Sequence, residues 1–145
     1  MIYSQDRNKI RQQYFDVWKK ANDGIALEPM ETIIADVIKD HPEYHPILKN
    51  PEATIDSEYY PEHGKTNPFL HMGMHITLRE QVATDRPAGI RDLTRKMILR
   101  YRDSHEMEHL MMEPLGKVLW EAQRNNTMPD EKIYMESLRA LASQD

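Results

Sequence analysis

The strongest helix-start signal in the chain opens residues 67–84, which read NPFLHMGMHITLREQVAT. Asparagine followed by proline is typical of an N-cap and the first helical position, so we expect a helix over 68–84. Within it, His71 and His75 are four residues apart, which places both imidazoles on one face of a helix. Two imidazoles in this arrangement can bind one metal ion, so the stretch predicts both a helix and a pair of candidate ligands.

Apolar residues elsewhere recur at intervals of three and four rather than two, which is typical of helices. Further helices are expected over 4–21, from Pro29, over 88–124 and over 129–142. Pro114 should kink or split the third of these, and residues 46–66 should be irregular around a short helix. The sequence therefore predicts an all-α fold, a single-domain helical bundle over 1–145 with four main helices and short extra helices.

Composition excludes several classes of function. The chain has 145 residues, a formal net charge of −5 and no cysteine. Without cysteine, disulfides, zinc–thiolate sites, iron–sulfur clusters and thiol nucleophiles are excluded. The acidic balance disfavours binding to nucleic acid, and no apolar stretch is long enough to span a membrane. The N-terminal residues lack the apolar segment of a secretory signal, so we expect a cytoplasmic protein. As a partner, we expect a second copy of the chain in a homodimer.

The histidines carry the clearest chemical signal. Six of the seven form three pairs spaced by four residues: His41 and His45, His71 and His75, His105 and His109. Glu113 extends the last pair by one helical turn. We expect His71, His75, His105 and His109 to hold a divalent transition metal, with His41, His45 and Glu113 as additional ligands, in a mononuclear or dinuclear site. Nitrogen-rich ligation without sulfur favours zinc or iron, with nickel, manganese and copper as further candidates.

The type of metal would decide the type of chemistry. Iron or manganese would indicate an oxygen-linked or redox role, and zinc a hydrolytic or structural one with Glu106 or Glu113 as a base. Residues 105–109 read HEMEH and match the His-Glu-x-x-His pattern of zinc proteases, with Glu106 as general base. A protease is the lesser alternative, because the chain is small and has two further histidine pairs. Whether the protein is an enzyme stays open.

The histidines also have a structural interpretation. His41 precedes Pro42 at a corner, where its ring could bond helix-end carbonyls, and His63 could be a hydrogen-bonded polar residue. On this interpretation the protein is a non-catalytic protein-interaction module with structural histidines, including a pH-sensitive interface. Ligand geometry separates the two interpretations, because metal binding requires imidazole nitrogens to converge within about 2.0–2.2 Å of one point.

Three stretches carry a resemblance to known proteins: residues 67–75, 109–116 and 119–124, with HPEYH at 41–45 as a further match. In the form NPFLHxxxH and HLMMExLGxxLWEAQR, they resemble a family of short bacterial proteins known only as a domain of unknown function. The resemblance covers nearly the whole chain and implies a self-contained cytoplasmic protein. It implies no activity and assigns no role to any residue.

Overall fold

The computed structural model of the protein describes residues 2–55, 57–59 and 67–143. Its helices are α1 (Ile2–Asn22), α2 (Pro29–Lys39), a 3-10 turn (Pro42–Tyr44), α3 (His45–Leu48), α4 (Pro51–Thr54), α5 (Pro68–Thr84), α6 (Ile90–Tyr101), α7 (Ser104–Asn125) and α8 (Glu131–Ser143). The all-α fold class is confirmed, although the described residues hold six helices of eleven or more residues instead of four main ones. None of the described helices is long and apolar enough to cross a membrane.

By its internal contacts the chain divides into two compact units, Met1–Ile76 and Thr77–Asp145. The single domain expected over 1–145 stays a prediction. His63 lies outside the described residues, so the interpretation offered for it stays a prediction as well.

The first unit begins with two helices whose ends follow local sequence signals. Helix α1 stops before Gly24, which adopts a φ of +70° that favours glycine, and Ile25 N–H closes the end on Lys20 O at 3.0 Å. Helix α2 starts at Pro29, and a capping box between Glu28 and Glu31 satisfies its first backbone donors. Both helices then bury one apolar stripe with α3 and the first turns of α5. The core they form contains Tyr14, Phe15, Val17, Ile34, Ala35, Val37, Ile38, Leu48, Phe69, Met72 and Ile76.

A buried arginine fixes the segment that follows α4. The Arg11 guanidinium is 3% exposed, and its Nη1 donates to Ile55 O and Ser57 O, both at 2.8 Å. The same group lies over the Phe69 ring at 4.8 Å from the centroid. Carbonyl acceptors and an aromatic face together stabilise a buried guanidinium that would otherwise be costly to desolvate.

Tyr14 gives the first unit a measurable response to alkaline pH. Burial raises its pKa from 10.0 to about 12, and its hydroxyl donates to Phe69 O at 3.1 Å. Between these two pH values the unfolded chain loses the phenolic proton while the folded chain keeps it, so the free energy of unfolding falls as pH rises. The loss should be about 1–3 kcal/mol across this window, and full stability should be present below it.

Urea unfolding at neutral pH and at about pH 11 measures this response in the parent and in Tyr14→Phe. We expect Tyr14→Phe to lose about 1 kcal/mol at neutral pH, because Phe69 O loses its donor, and to fall less steeply with alkali. Some slope should remain, since burial also raises the pKa of Tyr134 in the second unit. Equal slopes in the parent and the variant would contradict the prediction.

The second unit packs α8 against α6 and α7. Its core contains Leu78, Ile90, Met97, Met107, Met111, Leu115, Val118, Ala122, Tyr134, Met135 and Leu138. Two tyrosine hydroxyls tie the elements together: Tyr101 donates to Leu141 O at 2.9 Å, and Tyr134 donates to Gln81 Oε1 at 2.7 Å. Four of these core residues are methionines, whose flexible side chains fill irregular spaces between helices.

The predicted helical pattern over 88–124 breaks at a different place from the one expected. Arg102 adopts a φ of +62° and ends α6, and Asp103 starts α7 by accepting the backbone N–H groups of His105 and Glu106. Helix α7 then continues through Pro114. On α7, Met111 is buried and Met112 is half-buried. The missed signal was Asp103, a favoured N-cap residue with a glutamate three positions later.

Removing this cap should cost measurable stability. Asp103→Ala leaves the first N–H groups of α7 without their side-chain acceptor, so we expect a loss of about 1 kcal/mol in urea unfolding. Asp92→Ala is a matched control, because the ion pair of Asp92 with Arg95 at 3.3 Å is exposed and its loss should cost at most about 0.5 kcal/mol. Equal losses in the two variants would show that the cap contributes nothing specific.

Candidate metal centre

Proline sets the position of the first candidate ligand. The residue before a proline avoids the helical conformation, and His41 before Pro42 has φ −126° and ψ 64°. This turn ends α2 and folds the His41 ring back onto the last helical turn. Its Nδ1 lies 2.7 Å from Val37 O, and since a carbonyl only accepts, Nδ1 carries the proton. The lone pair of His41 is therefore on Nε2, the ring nitrogen that would bind a metal ion.

The start of α5 positions the other two candidate ligands. Asn67 Oδ1 accepts the N–H groups of Phe69 and Leu70 at 3.0 and 3.1 Å, which confirms the predicted N-cap. His71 follows in the first turn, and His75 lies one turn later on the same face. Their ring centroids are 4.9 Å apart. The predicted helix over 68–84 is thus confirmed together with the facing of its histidine pair.

The three histidines meet inside the first unit. One ring nitrogen from each of His41, His71 and His75 lies within 4.8 Å of the others. The His41 centroid is 5.2 Å from that of His71 and 4.7 Å from that of His75. Imidazole nitrogens bound tetrahedrally at about 2.0–2.1 Å are about 3.3 Å apart, so modest side-chain rotation would bring these atoms to one ion. His41 and His75 are 1% and 0% exposed, while His71 is half-buried.

Tyr44 is a neighbour of the centre that the sequence did not reveal. Its ring stacks on His41 at 5.6 Å with an interplanar angle of 5°, and its centroid is 6.2 Å from that of His71. Burial raises the pKa of Tyr44, and the neighbouring Glu43 carboxylate raises it further, so the phenol stays protonated at neutral pH. The HPEYH stretch contains this tyrosine, but only the 3-10 turn after Pro42 brings it against the histidines.

His45 has a different environment from the three clustered histidines. Its Nε2 donates to Ile38 O at 2.8 Å, and its ring lies 4.7 Å from the Trp18 ring. His41 and His45 thus satisfy two successive carbonyls in the last turn of α2, as the structural interpretation of this corner predicted for His41. The prediction that His45 also binds metal rests on its Nδ1 alone, and stays a prediction.

The second unit contains the other predicted ligands. His105 and His109 face each other on α7, with ring centroids 4.3 Å apart; His105 is half-buried and His109 is exposed. Glu113 and Glu106, the two candidate bases, are both exposed. The i and i+4 pairing expected from the sequence is present, and the assignment of these residues to a metal stays a prediction.

An ion pair that the sequence did not indicate lies close to this histidine pair along α7. Glu108, which is 7% exposed, accepts from Arg79 Nε at 3.0 Å and from Arg79 Nη2 at 3.1 Å. Two parallel hydrogen bonds between a guanidinium and a carboxylate make a strong, directional contact. Within the HEMEH stretch, Glu108 therefore has a structural partner and is not part of a solvated face.

Residues 6–140 of the chain match a family model whose description is Domain of unknown function (DUF1841). The resemblance to a domain of unknown function is thereby confirmed over nearly the whole sequence. No curated protein and no solved structure gives a significant match. The family description names no activity, cofactor or site residue.

Proposed function

We propose that this chain, which belongs to the DUF1841 family, binds a divalent transition-metal ion through His41, His71 and His75. One observation carries the proposal: three imidazole nitrogens from two distant stretches of sequence lie within 4.8 Å of one another. Buried histidines used only for packing have no need to converge in this way. Zinc and iron are the first candidates, and nickel, manganese and copper also suit imidazole ligands.

The hydrogen bond of His41 supports the same proposal. Metal-binding histidines almost always donate their other ring N–H to a carbonyl or carboxylate, which fixes the tautomer and the ring orientation. His41 has this arrangement, with Val37 O as its acceptor. That carbonyl belongs to the C-terminal turn of α2, where the helix dipole favours a positive charge. The corner after α2 thus orients the His41 ring, and the dipole of α2 would also favour a cation bound next to it.

Within the described ranges 2–55, 57–59 and 67–143, this cluster has three histidine ligands, which leave coordination positions for a further ligand. Sites that keep an open position next to three protein ligands can polarise a substrate or activate a bound water, whereas purely structural zinc sites have four protein ligands. The arrangement therefore favours chemistry at the ion over a purely structural role. His105 and His109 face each other on α7, and we propose them separately as a second pair of metal ligands.

Elemental analysis of the untagged full chain, purified without chelator, tests the proposal. We expect close to one zinc or iron per chain, or more if the α7 pair holds an ion of its own. The melting temperature of chelator-treated protein should rise when the same metal is added, because an ion that binds only the folded chain stabilises it. Absence of metal, together with an unchanged melting temperature for zinc, iron, nickel, manganese and copper, would refute it.

The competing function is a protein-interaction module with structural histidines. A specific observation favours it: His41 and His45 each donate to a carbonyl at the end of α2. On this view the rings cap a helix and bind nothing else. Replacing His41 with asparagine keeps a side-chain donor near Val37 O, so on this view the metal content and the melting temperature should stay almost unchanged. Loss of metal from that variant would support the metal centre.

A further inference from the structure

The second unit contains a cavity of about 170 Å³ whose lining residues differ from the proposed metal ligands. Its walls come from the C-terminal half of α5, the turn before α6, helix α7 and the start of α8. All of the lining residues lie within Thr77–Asp145, so the cavity belongs to this unit alone. We infer that it binds a small zwitterion with a short apolar side chain, the chemistry of a free amino acid such as leucine or valine.

The apolar part of the lining sets what the interior accepts. Leu115 and Val118 on α7 are 2% and 4% exposed, and Pro87 and Leu119 also line the cavity. An apolar cavity of about 150 Å³ holds a molecule of the size of benzene, so this cavity has room for a short branched hydrocarbon chain. Transfer of such a chain from water to an apolar wall is favourable.

A buried polar pair borders this apolar surface. Tyr134 is 2% exposed, and its hydroxyl donates to Gln81 Oε1 at 2.7 Å. Both residues line the cavity, and the hydrogen bond between them fixes the two side chains. They add an amide N–H donor and the lone pairs of a phenol oxygen to the wall. A few fixed polar groups in a mostly apolar cavity are typical of sites that orient a small ligand.

Charged side chains of both signs line the same cavity, and the backbone of each is held in place. Arg86 follows α5, and its backbone N–H donates to Gln81 O at 2.9 Å. Asp130 accepts the backbone N–H of Ile133 at 3.1 Å, and Glu131 follows it in the first turn of α8. Arg86, Asp130 and Glu131 are exposed residues, so their charges mark the solvent side of the cavity.

This arrangement of charge favours a ligand with both an ammonium and a carboxylate group. A guanidinium binds a carboxylate, and carboxylates bind an ammonium group, through charge-assisted hydrogen bonds. Because Arg86 and the two acidic residues lie on different elements, one zwitterion can pair with both. Its apolar side chain then enters the space beside Leu115 and Val118. An amine or a carboxylic acid with the same side chain would use only one of the two contacts.

Titration of the isotope-labelled full chain with L-leucine and with L-valine, followed by amide chemical shifts in NMR spectra, tests the inference. Three analogues of leucine each remove one feature of the ligand. Isoamylamine lacks the carboxylate, isocaproate lacks the ammonium group, and glycine lacks the apolar side chain. We expect saturable shifts at Gln81, Arg86 and Glu131 with leucine or valine, and binding at least about tenfold weaker for each analogue, because each loses a hydrogen-bonded charge or the buried chain.

The variant Arg86→Gln tests the carboxylate contact. We expect it to bind the amino acid about tenfold more weakly and isoamylamine as the parent does. Arg139→Gln is the matched control, because Arg139 is an exposed arginine of α8 outside the cavity lining, and it should bind as the parent does. Absence of saturable shifts at the cavity with both amino acids would overturn the inference. Equal affinity for an amino acid and the single-charge analogues, or equal losses in the two variants, would also overturn it.

Discussion

A His75→Ala variant is expected to lose its metal on purification and to bind added zinc at least about 100-fold more weakly than the parent. The factor is a lower limit, because replacing residues that only support metal ligands already costs about 10–100-fold. His75 is fully buried and its ring lies 4.7 Å from that of His41 and 4.9 Å from that of His71. Isothermal titration with zinc and elemental analysis measure the effect.

A matched variant separates loss of metal from loss of fold. Ile76→Ala truncates the next residue of α5, which is also buried but carries no ligand atom. We expect it to lose about 2–4 kcal/mol of stability through the cavity it leaves, and to keep the metal of the parent. If His75→Ala retains its metal, or if Ile76→Ala loses it to the same degree, His75 is not a ligand.

Replacing Arg79 with methionine is expected to lower the free energy of unfolding by about 3 kcal/mol. The substitution leaves the Glu108 carboxylate in a site where it is 7% exposed and without its bidentate partner. Breaking one side of a buried ion pair is far more costly than the net value of the pair, because an uncompensated charge remains. Urea unfolding of the full chain measures the loss.

The double variant Arg79→Met/Glu108→Met provides the decisive comparison. Because it removes both charges, we expect it to recover most of the loss and to lie within about 1–2 kcal/mol of the parent. Arg95→Met is the control for an exposed pair, since Arg95 pairs with the exposed Asp92, and should change stability by at most about 0.5 kcal/mol. A double variant as unstable as Arg79→Met would mean that the cost arises from packing and not from charge.

Local signals in the sequence predicted the helices well where one residue type enforces a boundary. Asn67 and Pro68 start α5 at the expected position. Gly24, two residues after the last residue of α1, turns the chain away from the helix through its positive φ. The sequence did not predict the break between α6 and α7, because Pro114 is the residue in 88–124 whose type most strongly disfavours a continuous helix. A left-handed Arg102 followed by the Asp103 cap ends the helix instead, and such a conformation is not encoded by residue type alone.

The candidate site was predictable only in part, for a similar reason. Spacing placed His71 and His75 on one face, because helical periodicity is a local property. That His41 would meet them depends on how α2 and α5 pack, and His71 lies thirty positions after His41. The Arg79 and Glu108 pair and the stacking of Tyr44 on His41 are likewise tertiary contacts. No periodic pattern in one sequence specifies which charges or rings will become neighbours.

The sequence separation of the ligands has a consequence for the unfolded chain. An ion bound by His41 and His71 closes a loop of thirty residues, as a covalent cross-link would. Closing a loop of this length removes conformational entropy worth about 4 kcal/mol from the unfolded ensemble in the polymer description used for disulfides. Histidines that held the ion during unfolding would thus keep the corner after α2 close to the start of α5. Refolding would then begin from a chain in which these two stretches had already met.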